Sequence, residues 1–327
     1  MIREAIAQLV SGKHLSDVEA EAVMNEIMTG EATPAQIGSF LTALRLKGET
    51  ADEIAGCVRA MRANAVQVRP RASLLVDTAG TGGDGAHTFN ISTTAAFIIA
   101  GAGLSVAKHG NRAISSKAGS ADVLVALGVN INLTPEQAAQ CIDDVGIGFH
   151  AIGPRRELGI RTVFNILGPL SNPANANVQL VGVYDPQLTD VMAHVLQQLG
   201  GQAACVVHGA GGLDELNTLG PNKVSEFRGD GSRNYVLDPC SLGLARASMA
   251  DLRGGSADEN AIIMRAILGG ERGPRRDTVL LNASAALVAA DAASDLADGL
   301  RLAGDTLDAG KAMQKLDELI EYTKQSK

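Results

Sequence analysis

From Ile2 to about Val66, apolar residues recur at three- and four-residue intervals, and polar residues cut them into short segments: Ser16 with Glu19, Thr33 and Pro34 with Gln36, Thr50 with Glu53. That spacing gives each segment one apolar face. A Ser or Thr followed three residues later by Glu or Gln satisfies the free backbone N–H groups of a helix start, so this region is predicted as a bundle of about four short helices. In the segment "PAQIGSFLTALRLKG", Ile37, Phe40, Leu41 and Leu44 share a face, with Gly38 inside it and Gly48 closing it. Two destinations suit that face: packing inside the bundle, or contact with another subunit.

After "RPRAS" the rhythm changes. Short apolar runs, "SLLVDTAG", "LSVAKHG", "VQLVGVYD" and "AACVVHGA", are separated by helical stretches, and "KVSEFRGD" and "NYVLDP" follow. Apolar runs alternating with helices predict a mostly parallel sheet covered on both faces, and the last two runs read as antiparallel or edge strands. The alanine-rich stretch from Asn282 to Leu316 favours helix and is expected to close the outer layer of the sheet. The fold class is therefore α/β: a small N-terminal helical bundle domain and a larger domain with a mostly parallel central sheet flanked by helices.

Composition narrows what such a fold can do. With 327 residues and 46% hydrophobic content the chain can bury a substantial core, as two domains or as one with a subdomain. A net charge of -8, with both signs interspersed, offers no broad basic surface for nucleic acid, so an anionic ligand has to be met locally. Cys57, Cys141, Cys205 and Cys240 are scattered without metal-ligand spacing, which fits reduced thiols in cytoplasm. Charges interrupt the apolar residues of the N-terminus, and no uncharged run is long enough to span a membrane.

The candidate chemistry begins at "DTAGTGGDGAHTFNIST", Asp77 to Thr93. A strand ending in glycines and followed by a helix opened by Asn90, Ser92 and Thr93 makes an anion site, because bare backbone N–H groups can approach a phosphate closely and the helix dipole adds positive potential. Gly80, Gly82 and Gly85 match G-x-G-x-x-G, but the next strand ends in Lys108 rather than in the acid a dinucleotide ribose needs, and no Gly-Lys-Ser/Thr ending marks a P-loop. A second polar cluster, "AKHGNRAISSKAGSAD", follows the next apolar run, and a third, "HGAGGLDELNTLG", puts Asp214 beside Glu215. Loops at the ends of neighbouring parallel strands converge, so the first two clusters are expected to face one ligand, and the adjacent acids suit Mg2+ bridging a diphosphate.

"GTGGDG" with "TFNIST", then "KHGNRAISSKAGSAD", "RTVFNILGPLSNPA" and "GGLDE", in this order, resemble the anthranilate phosphoribosyltransferases of the nucleoside phosphorylase-like group, over essentially the whole chain. The resemblance implies Mg2+-dependent transfer of phosphoribose from 5-phosphoribosyl 1-diphosphate to the amine of anthranilate, a step of tryptophan biosynthesis, by a homodimer joined through its helical domains. It implies a helical domain over 1–72, with a helical segment returning near 161–176, and an α/β domain over 73–160 and 177–327. Carried over by residue, Gly80, Gly83, Asp84, Thr88, Asn90, Ser92, Thr93, Lys108 and Ser120 would hold the phosphoribosyl diphosphate. Ser92, Asp214 and Glu215 would hold Mg2+; Gly80, Asn111 and Arg155 would hold anthranilate, and His109 would line its route.

The chain departs from the family pattern at one place. After Gly146 to Phe149 the family carries a loop with Phe-Ala-Pro and His-Pro, whereas here Phe149 runs straight into His150. If residues were omitted there, the two Cα atoms would stand much farther apart than the roughly 3.8 Å of a trans peptide. Two rivals remain at this stage: a pyrimidine nucleoside phosphorylase, whose "SGRGLGHTGG"-like segment is missing, and a non-catalytic nucleic-acid-binding relative, which the acidic charge balance opposes.

Overall fold

The computed structural model describes residues 1–110, 118–151 and 162–325. The N-terminal region holds α1 (Ile2–Val10), α2 (Asp17–Met28), α3 (Pro34–Lys47) and α4 (Ala51–Asn64). The capping boxes expected at Ser16, Thr33 and Thr50 are all formed. On α3, Phe40, Leu41 and Leu44 are buried within the bundle and Ile37 packs against its core, while Leu46, at 83% exposure, faces out. The apolar face of this helix is spent on internal packing.

The larger region runs β1 (Val76–Gly80), α5 (Ile91–Gly101), β2 (Val106–Gly110), α6 (Ser120–Ala126), α7 (Pro135–Val145), β3 (Ile147–Ala151), α8 (Val163–Leu170), β4 (Val178–Gly182), α9 (Leu188–Gln198), β5 (Ala203–His208), β6 (Asn222–Arg228), β7 (Gly231–Leu237), α10 (Ala257–Leu268), α11 (Pro274–Ala289), α12 (Leu296–Asp308) and α13 (Lys311–Gln325). The strands form one sheet in the order β3-β2-β1-β4-β5-β6-β7. The first five are parallel, and β6 and β7 pair antiparallel at the edge, as the sequence pattern predicts.

The period of two along the strands sorts side chains into two cores. Val178, Leu180, Ala203, Cys205 and Val207 face one core with α5, α10 and α11; Val181, Val183, Ala204 and Val206 face another, shared with α8, α9 and the N-terminal bundle. The helical bundle is thus packed against one face of the sheet through α8 and α9, and each large side chain buried there contributes on the order of 1.5 to 3 kcal/mol.

Three expectations need correction. Residues Thr278 to Ala289 of α11 are buried all round, so the start of the alanine-rich stretch, Asn282 to Ala289, fills the interior beside α5 rather than closing an outer layer; small side chains suit a helix enclosed on every side. One strand, β3, escaped the pattern of apolar runs because "IGFHA" is short and mixed. Finally, β3 passes unbroken from Phe149 to His150, paired in register with Lys108 and His109 of β2, so the wide separation considered for that junction is not found.

Candidate active site

Two glycines at the ends of adjacent strands make room for the site. Gly80 of β1 and Gly182 of β4 are register partners. A Cβ on Gly80 would strike the Asp214 carboxylate, and one on Gly182 would strike the Asp214 backbone carbonyl. Bare backbone at both positions lets the segment carrying Asp214 and Glu215 lie across the strand ends. The sheet order reverses here: the chain proceeds from β1 through β2 to β3, then resumes with β4 on the other side of β1. At such a switch point in an open α/β sheet a crevice forms at the carboxyl ends of the strands.

The loop from β1 to α5 turns through left-handed backbone at Gly82, Gly83 and Gly85, with φ of 66°, 79° and 71°. Only glycine takes this conformation without strain. The loop is tied down at several points: the Gly82 N–H donates to Asp214 Oδ2 at 2.6 Å, the Ala86 N–H to Asp84 Oδ1 at 3.0 Å, and Thr88 forms a bridge with Arg253. Asn90 stands at the N-cap of α5 but its side chain does not cap; it accepts from Asn260 Nδ2 at 2.9 Å instead. The Ser92 N–H donates to Glu215 Oε1 at 3.1 Å, so a carboxylate from beyond β5 serves the first turn of α5. Among the described residues Thr93 Oγ1, buried there, has no hydrogen-bond partner.

Below the loop lies a buried ionic layer. Lys108 Nζ of β2 donates to the Thr78 carbonyl, and Thr78 Oγ1 donates to the Ser92 carbonyl at 2.9 Å. Asp77 accepts from Asn172 Nδ2 at 2.7 Å and from the His109 N–H at 3.3 Å, while the same Asn172 amide reaches the Ala107 carbonyl at 2.8 Å. Burial raises the Asp77 pKa, countered by Lys108, and burial lowers that of Lys108, countered by Asp77 and Glu215. The acid pair is more strongly displaced. Although each residue keeps some surface toward the crevice, burial, then Glu215 and Asp84, hold the Asp214 carboxyl well above the usual range; burial raises Glu215 to about 7 against the pull of Lys108 and Ser92.

This arrangement offers an all-oxygen donor set in surroundings that disfavour its own negative charge. Among the described residues no group of three or more His, Cys, Asp or Glu is gathered closely enough to hold a metal by itself. Two carboxylates and a hydroxyl suit a hard cation that also takes oxygens from a phosphorylated substrate, which is how Mg2+ is commonly held.

The family model for the glycosyl transferase family a/b domain matches residues 72–313, and that for its helical bundle domain matches 3–65. The anthranilate phosphoribosyltransferase of Desulforudis audaxviator is 56% identical over 338 positions, covering 100% of this chain and 98% of that protein. The chain belongs to the anthranilate phosphoribosyltransferase family. Among solved structures, the Thermus thermophilus member superposes with a TM-score of 0.92 at 43% identity, covering 98% of this chain and 99% of that one. The Saccharomyces cerevisiae member, solved in complex with PRPP and Mg, gives 0.88 at 26% identity, covering 99% and 98%. The alignment of 338 positions exceeds the 327 residues here, so the D. audaxviator member carries residues with no counterpart in this chain.

Of the residues singled out from sequence, Gly80, Gly83, Asp84, Thr88, Asn90, Ser92 and Thr93 lie on the glycine loop and the start of α5, with Lys108, Asp214 and Glu215 packed against them. Ser120 opens α6 beside Gly110, where a Cβ would meet its hydroxyl. His109 is buried within β2. Asn111 and Arg155 lie outside the described residues. Sequence reasoning missed Gly182, Asp77 and Asn172. A glycine inside the apolar run "VQLVGVYD" signals a close backbone approach, and Asp77 is an acid inside an apolar strand; both were readable, whereas nothing marked Asn172 as reaching two strands.

Proposed function

We infer that the chain is an anthranilate phosphoribosyltransferase acting in tryptophan biosynthesis, transferring phosphoribose from 5-phosphoribosyl 1-diphosphate to the amine of anthranilate with release of diphosphate. The observation that carries the reading is the pair of half-buried acids, Asp214 and Glu215, locked to the glycine loop and to α5 at the switch point of the sheet. The phosphorylase and nucleic-acid readings are set aside, since a relative sharing 56% of its residues over the whole chain is named for this transfer.

In this reaction the bond from the ribose anomeric carbon to the diphosphate oxygen breaks, a bond from the anthranilate nitrogen forms, and that nitrogen gives up one of its two protons. Positive charge develops on the ribose while negative charge gathers on the leaving group, so catalysis consists of holding the reactants in line and stabilising the departing anion. Gly80, Gly83, Asp84, Thr88, Asn90, Ser92, Thr93, Lys108 and Ser120 would hold the phosphoribosyl diphosphate, the loop N–H groups meeting phosphate oxygens. Asp214 and Glu215, with the Ser92 hydroxyl, would hold Mg2+, as the yeast member's complex with Mg supports; when bound, that ion supplies positive charge to the diphosphate. Gly80, Asn111 and Arg155 would hold anthranilate along a route lined by His109, an arginine serving its carboxylate through paired N–H donors. The reading includes a cytoplasmic homodimer joined through its helical domains, and a boundary that puts 1–72 and the segment near 161–176 on one side and 73–160 with 177–327 on the other. Among the described residues no helix is long and apolar enough to cross a membrane.

The test is the double substitution Asp214→Ala with Glu215→Ala. Turnover should disappear while unfolding remains cooperative, and Mg2+ should no longer raise the melting temperature. Turnover retained in that protein would overturn the metal assignment.

A further inference from the structure

A cavity of about 650 Å3 lies at the opposite end of the strands that carry the site. Its walls include Leu75 and Asn177, the residues immediately before β1 and β4, together with Arg62 from the last turn of α4 and Arg69 from the connection that follows. The helical-bundle match ends at residue 65 and the α/β match begins at 72, so the walls come from both domains and from the link between them.

The charge of these walls is one-sided. Among the described residues no Asp or Glu lines the cavity, in a chain whose net charge is -8. Arg62 Nε and one terminal nitrogen both donate to the Leu170 carbonyl, at 2.9 and 2.8 Å, and among the described residues no carboxylate meets this guanidinium. Burial lowers its pKa to about 10 with no anion to offset it, which leaves it charged at neutral pH. Arg69 is exposed, and among the described residues it forms no ion pair or hydrogen bond. The neutral polar groups, by contrast, are fixed to one another. Gln67 donates to the Arg62 carbonyl at 2.6 Å and accepts from Asn175 at 3.0 Å, and Asn177 spans Leu75 N and the Ser73 carbonyl at 2.9 and 2.8 Å. Preformed polar walls around two guanidinium groups without counter-charges form a concave site whose volume suits a small molecule.

We propose that this cavity binds a small oxyanion, a polycarboxylate or a phosphate ester, through Arg62 and Arg69, and that the bound anion bridges the helical and α/β domains. Because β1 and β4 run from the cavity to Gly80 and Gly182, such a ligand lies outside the crevice, at the other end of the same strands.

The experiment follows the arginine Nε–H signals of isotope-labelled full-length protein during titration with citrate and, separately, with glycerol 3-phosphate. The Arg62 and Arg69 signals should move along one saturating curve with at least one of the two, and the probe that saturates identifies the anion class. Arg69→Glu places a carboxylate in the cavity without removing any bond of the fold, and should weaken that binding by about ten- to hundredfold. It should leave the response to diphosphate in the catalytic crevice unchanged. Signals that stay fixed or drift linearly with both probes, or an Arg69→Glu protein that binds as the parent does, would overturn the proposal. Arg62→Lys is the second variant: it keeps the charge and loses the planar fork, so binding should weaken less than in Arg69→Glu, and equal or greater weakening would remove the charge argument.

Discussion

The helical bundle and the crevice each bury carboxylates, and they treat them in opposite ways. Glu53, with its side chain fully buried, accepts from Leu15 N at 2.9 Å, from Thr50 N at 2.8 Å and from Lys47 Nζ at 2.7 Å. Lys47, 4% exposed, spends its remaining contacts on the Gly48 carbonyl and His14 Nδ1. Every charged atom of that pair has a partner inside the chain. Asp214 and Glu215 sit next to each other; Glu215 alone of the two feels Lys108, which it shares with Asp77, and each acid is held by one backbone N–H, Glu215 also by the Ser92 hydroxyl. A closed network is a structural joint, whereas a pair of acids held short of counter-charge is built for a cation that arrives from outside.

The sharpest way to break this contrast is to remove charge from each side. Glu53→Ala strands Lys47 and two backbone N–H groups in the bundle, and should cost about 3 to 5 kcal/mol of stability, read from the denaturant midpoint. Glu215→Gln should do the reverse in chelator-treated protein. The Glu215 carboxyl, raised to about 7 in the fold, favours its neutral form; its contribution to stability is full below the unfolded value of 4.5 and is lost as pH rises to 7. At pH 8 the Gln variant should therefore be more stable than the parent by on the order of 2 to 3 kcal/mol after screening at the crevice mouth. Added Mg2+ should stabilise the parent and leave the variant unmoved. A variant less stable than the parent at pH 8 would make Glu215 another structural joint.

That difference also measures what could be read in advance. The bundle was legible because its signals are local: three Ser/Thr to Glu/Gln pairs at fixed spacing mark three helix starts, and all three form. The sheet was legible from apolar runs, apart from β3, whose five residues include Gly148 and His150. The crevice was legible where glycines and hydroxyls crowd one segment. What escaped depends on contacts between residues far apart in the chain. Asn172 reaches Asp77 and Ala107, and Gly182 matters because of the Asp214 peptide, which no window of sequence contains.

Glycines sharpen the comparison at smaller cost. Gly56 in α4 packs so closely on α2 that a Cβ would strike the Asp17 carbonyl, and Gly182 bears the same relation to Asp214. Each Gly→Ala change forces backbone apart and should cost about 1 to 3 kcal/mol. Only Gly182→Ala should also abolish the stabilisation by Mg2+ and reduce turnover, because the peptide it displaces carries the acid pair. Equal turnover in the two variants would detach Gly182 from the site.

The mildest test compares two helix starts. At α4 the Thr50 hydroxyl accepts from the Glu53 N–H at 3.3 Å, completing a capping box; at α5 the Asn90 side chain is turned to Asn260 and the Glu215 carboxylate takes the Ser92 N–H instead. Thr50→Ala removes a cap and nothing else that touches the crevice, and the Glu53 carboxylate keeps its bond from the Thr50 backbone. It should lower stability by about 1 kcal/mol, the usual worth of such a cap, with kcat and KM unchanged. The measurement pairs thermal unfolding with steady-state kinetics on one preparation. A fall in kcat at a temperature where the variant is fully folded would mean that the start of α4 reports to the crevice, and the division between a closed structural network and an open catalytic one would no longer hold.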